Sequence, residues 1–153
     1  MRTLYLFLLP WLLFASEAVE QRLREMTLEE KVGQLFVAPA CPLHTNRVHH
    51  RANWAFLLEQ YHIGNAIVKQ ADSASQIEFL NDLQQSSKLP LLVVADAEWG
   101  LGMRMTDAIS FPKNMTLGAI QDISLIEKLG AEIGREARRV GIHMNLAPVV
   151  DVN

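Results

Sequence analysis

Leu91-Leu92-Val93-Val94-Ala95 is an unbroken apolar run that ends in Asp96-Ala97-Glu98-Trp99-Gly100, and Met144 to Val150 repeats the pattern before Asp151. Apolar residues without alternation suit parallel strands covered on both faces. Sheets of that kind bind ligands at the carboxyl ends of their strands. Two strands that each deliver a carboxylate therefore describe part of an enzyme scaffold.

The remaining segments fit the same scheme. Thr27-Leu28-Glu29-Glu30 has the capping-box pattern and opens a helix expected to turn Leu28, Val32 and Leu35 inward. A short strand is expected over Leu35–Ala38, ended by Pro39 and Pro42, then a helix over Asn53–Tyr61 that closes at Ile63-Gly64. Ala66-Ile67-Val68 reads as a second strand with Lys69 at its tip. Ser73–Ser86 reads as an amphipathic helix with Ile77, Leu80 and Leu83 on its apolar side. Leu91–Ala95 is the third strand, Ser124–Val140 a helix stopped by Gly141, and Met144–Val150 the fourth strand. Alternating strands and helices predict an α/β fold with a parallel sheet. Four βα units make either an incomplete (β/α)8 barrel of the TIM type or a small doubly wound sheet, and length does not choose.

Met1-Arg2, the apolar core from Thr3 to Ala15 and the small residues Ser16 and Ala18 predict a signal peptide over residues 1–18. Pro10 breaks that core, which is shorter than the ~20 apolar residues of a spanning helix. A secreted or periplasmic protein is expected, with no membrane span after cleavage and residues 19–153 as the mature domain. Removing Arg2 and Glu17 leaves the net charge at −3, a balance that argues against nucleic acid or an anionic membrane as partner. Cys41 is the single cysteine, so no internal disulfide can form.

Asp96, Glu98, Trp99 and Arg104 crowd one strand exit. Carboxylates and a guanidinium suit ring hydroxyls, and an indole face suits the apolar face of a sugar. The same residues also suit a solvated loop with an Asp–Arg ion pair. Composition does not decide between them.

Five blocks in order carry more information: Met26–Leu35; Asp96-Ala97-Glu98 with Gly100; Phe111-Pro112 with Leu117-Gly118-Ala119; Glu136-Ala137 with Gly141-Ile142; and Ala147–Val152. Together they resemble the amino-terminal half of a glycoside hydrolase family 3 catalytic domain, in its bacterial β-N-acetylhexosaminidase branch, over residues 26–153. The resemblance implies that Asp96 and Arg104 bind the non-reducing-end sugar, that Glu98, Trp99 and Asp151 support them, and that no catalytic residue lies in this chain. The family's nucleophile and acid/base fall later in the barrel. Asp96 and Glu98 leave one strand two residues apart and cannot straddle a glycosidic bond, whereas a retaining enzyme needs two groups ~5 Å apart across it. Ala97, Trp99, Leu101 and Gly102 depart from the family pattern, which bears on substrate choice.

The resemblance implies a glycosidase of terminal β-linked N-acetylhexosamine, with a carbohydrate substrate, no cofactor and no metal, represented here by an N-terminal fragment. A β-glucosidase of the same family and a non-catalytic carbohydrate-binding fragment are the alternatives. Self-association through open sheet edges is expected of such a piece. His44, His49 and His50 read as a hydrated connector rather than a metal site. Gly100-Leu101-Gly102 lacks the third glycine of a dinucleotide loop and the Lys-Ser/Thr of a phosphate loop, which speaks against a nucleotide domain. His143 is expected to be a satisfied side chain, and Met103 and Met105 to be packing.

Overall fold

The computed structural model describes residues 17–42 and 47–151, with no side-chain description at 47–49. The apolar core of the expected leader, His44 and the side chain of His49 lie outside the described residues. Residues 17–25 are helical, and no helix among the described residues is long and apolar enough to cross a membrane.

The elements run α1 (Leu28–Gly33), β1 (Val37–Ala40), α2 (Arg47–Tyr61), β2 (Asn65–Val68), α3 (Ser73–Ser86), β3 (Leu92–Ala95), α4 (Asn114–Leu117), α5 (Ile123–Arg139) and β4 (Met144–Asn145), with a 3-10 turn at Leu101–Met103. The four strands form one parallel sheet in the order β1-β2-β3-β4. A doubly wound sheet reverses its strand order at a switch point, whereas a barrel adds each strand beside the last. Sequential order therefore resolves the two architectures in favour of consecutive units of an incomplete (β/α)8 barrel.

Burial agrees. Ala38, Ala40, Ala66, Val68, Val93 and Ala95 alternate onto one face and pack against Trp54, Phe79, Leu80, Leu83 and Ala137 of the helices. On the other face, Val37, Asn65 and Leu92 share a register level, and Val37 and Leu92 are exposed. Among the described residues, the buried helix side chains of the two core clusters pack against the first of these faces.

Local chemistry sets the boundaries. The Thr27 hydroxyl accepts from Glu30 N while the Glu30 carboxylate accepts from Thr27 N, which completes the expected box. The inward face of α1 differs from expectation: Leu28, Val32 and Leu35 are exposed, and Glu30 and Gly33 are buried. Gly33 sits so close to α2 that an added Cβ would lie 2.2 Å from Tyr61 O, so the helix docks through backbone rather than apolar side chains. Strand β1 also continues through Pro39 instead of stopping there. It is an outer strand of the described sheet, where a residue without an N–H is tolerated, and Pro39 O accepts from Trp54 Nε1 at 3.0 Å.

Helix α3 covers the residues expected, but turns Gln76, Phe79, Leu80 and Leu83 inward and leaves Ile77 outside. Strand β4 pairs over two residues only, since Pro148 has no donor to extend a ladder. Asp72 caps α3 by accepting from Ser75 N and from the Ser75 hydroxyl, and these bonds hold its carboxyl below the ordinary value of 3.8. A depressed folded-state pKa stabilises above the unfolded value and is lost as pH falls through the folded one. The stability advantage of the wild type over Asp72→Asn is therefore expected to be constant above about pH 5 and to shrink in stronger acid. Thermal melts from about pH 6 to pH 2 check this; a difference that stays flat throughout would exclude an ionised cap.

Candidate functional site

The carboxyl end of β3 is built for placement of one side chain. Ala95 and Ala97 are both buried in the core beneath the sheet, so the intervening Asp96 turns to the opposite side. Arg104, carried back by the 3-10 turn, donates from Nε to Asp96 O and from Nη2 to Asp96 Oδ2, each at 2.9 Å. The pair is partly buried, with 18% of the Arg104 side chain and 33% of the Asp96 side chain exposed. It thus combines a fixed geometry with access from solvent.

The loop is tied down on all sides. Ala71, just past β2, donates to Arg104 O and accepts from Thr106 N, both at 3.0 Å, and Met105 beneath is 2% exposed. Asp107 accepts from Ser73 N and the Ser73 hydroxyl at the start of α3. Gly100 has φ +87° and lies against the Phe111 ring, where a Cβ would approach to 2.6 Å. Gly102 packs on Ser110 in the same way. These glycines serve close packing inside a folded loop. Phe111 N donates to Trp99 O, and Lys113 Nζ lies 4.9 Å from the centre of the Trp99 ring.

Asn145 was not singled out by its residue pattern, yet its side chain brackets this loop. Its Oδ1 accepts from Ala97 N at 3.0 Å and its Nδ2 donates to Ala97 O at 3.2 Å. The available signal was a lone amide inside the apolar run of Met144–Val150, because a buried amide must find partners. Glu98 is half-buried and lines an apolar cleft of ≈ 690 Å³ along α5 with Asn145 and Pro148. Asp96 and Arg104 do not line that cleft. Its walls are mainly Ile126, Leu129, Ile133 and Ala137, so it suits apolar packing rather than a polyhydroxylated ligand.

Asp151 is exposed at the end of the described residues, and the bonds that join Asp96 to Arg104 do not involve it. The His143 ring accepts from Val93 N through Nδ1, and its backbone N–H donates to Val93 O, so the side chain is partnered by the neighbouring strand. His50 Nε2 accepts from Cys41 N, and its ring stacks on Phe79 at 5.4 Å. The Cys41 thiol is free, and burial pushes its pKa up.

Chemically, the site offers a carboxylate whose Oδ2 is held by arginine and whose Oδ1 has no hydrogen bond among the described residues. Arg104 uses two of its five N–H donors on Asp96, leaving three. An acceptor and several donors at fixed spacing suit the vicinal hydroxyls of a sugar ring.

Residues 27–153 match the family described as glycosyl hydrolase family 3 N terminal domain. A β-N-acetylglucosaminidase/β-glucosidase of Cellulomonas fimi is 30% identical over 135 residues, covering 88% of this chain and 23% of that protein. β-Hexosaminidase A of Pseudoalteromonas piscicida is 36% identical over 110 residues, covering 63% of this chain and 18% of its own. The solved structure of β-glucoside phosphorylase BglX bound to 2FGlc superposes with a TM-score of 0.77 at 25% identity, over 89% of this chain and 24% of the other. The chain thus spans about a fifth of the length of the curated relatives it matches. The match over residues 27–153 and the parallel α/β units agree, and the chain belongs to glycosyl hydrolase family 3 through that family's N-terminal domain.

Proposed function

We propose that the protein carrying this chain is an exported, secreted or periplasmic, glycosidase that releases terminal β-linked N-acetylhexosamine. In this reading Asp96 and Arg104 hold the non-reducing-end sugar, and Glu98, Trp99 and Asp151 support them. The observation that carries it is the Arg104–Asp96 pair, a partly buried ion pair at a strand end with unused acceptor and donor capacity. Two relatives whose names include hexosaminidase or N-acetylglucosaminidase support the same substrate class. This reading takes the nucleophile and proton donor from residues beyond this stretch of the protein; Asp96 and Glu98 share one strand exit and cannot flank a bond. A β-glucosidase is the second reading, favoured by the double name of the Cellulomonas fimi relative.

The full-length protein is expected to cleave p-nitrophenyl β-N-acetylglucosaminide with a kcat/KM at least about tenfold above that for the β-glucoside. The reverse preference would establish the second reading. A polypeptide limited to residues 19–153 is expected to show no turnover and to self-associate in size-exclusion chromatography, since its sheet edges and exposed Val37 and Leu92 are uncovered. Turnover by a monomer of that piece would refute the assignment of bond scission to residues outside it.

A further inference from the structure

The β3–β4 ladder ends where the site begins. Strand register pairs Val94 with Met144 and Ala95 with Asn145, and Leu146 N donates to Ala95 O at 2.8 Å. Among the described residues, the backbone after β4 gives no further bond to the chain beyond Ala95. The Asn145 side chain takes over, meeting both the N–H and the C=O of Ala97. It pairs with Ala97 as a neighbouring strand would, and it reaches across Asp96 to do so.

We propose that Asn145 is a positioning residue, whose amide clamp on Ala97 fixes the backbone on the far side of Asp96 and so aims the Asp96–Arg104 pair at the sugar. This rests on the reading of that pair as the sugar site. Three constraints then define Asp96: the ladder at Ala95 before it, the Asn145 clamp at Ala97 after it, and the Arg104 Nε bond to its own carbonyl. The Asn145 amide spends one of its two N–H donors and one lone pair of its oxygen on Ala97, and through these bonds it acts on the loop. A primary amide suits the task because it presents a donor and an acceptor side by side, matching the N–H and C=O of one residue. An ionised carboxylate of the same shape offers acceptors only and would face Ala97 O with like partial charge. Protonated, that carboxyl regains one donor.

The experiment uses full-length protein with 15N-labelled arginine, comparing wild type, Asn145→Ala and Asn145→Asp. Exchange of the Arg104 Nε–H with water reports the Asp96–Arg104 geometry directly, and titration with N-acetyl-D-glucosamine reports binding. Asn145→Ala is expected to speed that exchange about tenfold and to weaken sugar binding about tenfold, the scale of one or two lost hydrogen bonds. Asn145→Asp should match Asn145→Ala at pH 7 and return toward wild type, measured at the same pH, near pH 4, where a carboxyl regains its proton. That recovery distinguishes positioning from loss of fold, which acid would not repair.

Unchanged Arg104 Nε–H exchange in Asn145→Ala would overturn the proposal. So would an Asn145→Asp variant that fails to recover in acid. If the exchange follows the proposal while wild type binds no sugar, the clamp stands and the sugar-site reading falls.

Discussion

Replacing Asp96 with alanine in the full-length protein is expected to lower kcat/KM for a terminal β-linked N-acetylhexosaminide by about a thousandfold. Hydrogen bonds to a charged group contribute roughly 1.5–3 kcal/mol each. Two such bonds to ring hydroxyls amount to about 3–6 kcal/mol, and each 1.4 kcal/mol is tenfold in rate. The partial exposure of the pair places the effect toward the lower part of that range. The loss has a second source, because Arg104 would keep its charge without the Oδ2 partner that now orients it. Arg104→Ala should therefore cost nearly as much, and the double variant little more than either alone. Steady-state kinetics on the three variants tests this, and a loss below about fivefold for Asp96→Ala would remove it from the sugar site.

The largest expected effect on stability lies at Trp54. Its side chain is 0% exposed and packs among Ala38, Ala40, Ile63, Ala66, Phe79, Leu83 and Leu91, which joins α2 to β1, β2 and α3. Its Nε1–H is also the donor to Pro39 O. Truncating a buried tryptophan to alanine costs about 3–5 kcal/mol. Leaving a carbonyl short of its partner adds about 1 kcal/mol or more. Trp54→Ala is accordingly expected to lose about 4–6 kcal/mol, a large share of a domain's net stability. Trp54→Phe should retain most of the packing and lose about 1–2 kcal/mol, isolating the indole bond. Denaturant unfolding of both checks the order; equal losses would show that packing contributes little at this position.

Elements whose signals are local were legible in the chain. Ser73–Ser86 is a helix over the residues expected, with Leu80 and Leu83 inward and Ile77 outside. Helix α5 begins at Ile123, one residue before the expected start, and Gly141 beyond it takes φ +81° as a helix stop requires. The Thr27 box is formed by both of its hydrogen bonds. Signals that depend on neighbours are not legible in this way. Leu35, expected inward, is 81% exposed, because α1 spans six residues and docks through Gly33 against Tyr61 O. Strand β1 is displaced by two residues at its start, since the cost of a proline depends on whether another strand needs its missing donor.

The residue types alone determined that four strands alternate with helices, that Asp96 stands at the end of the third, and that Asp96 and Arg104 lie eight residues apart in one loop, whereas Asp151 falls six residues beyond the end of β4. These follow from covalent order and from side-chain periodicity, which act over a few residues. Only the tertiary structure decided that the strands stack in sequential order, which sheet residues pack against the helices, and that Asn145 reaches from β4 to clamp Ala97 beside Asp96. A contact across 48 residues is set by strand register and packing, and these are properties of the folded chain as a whole.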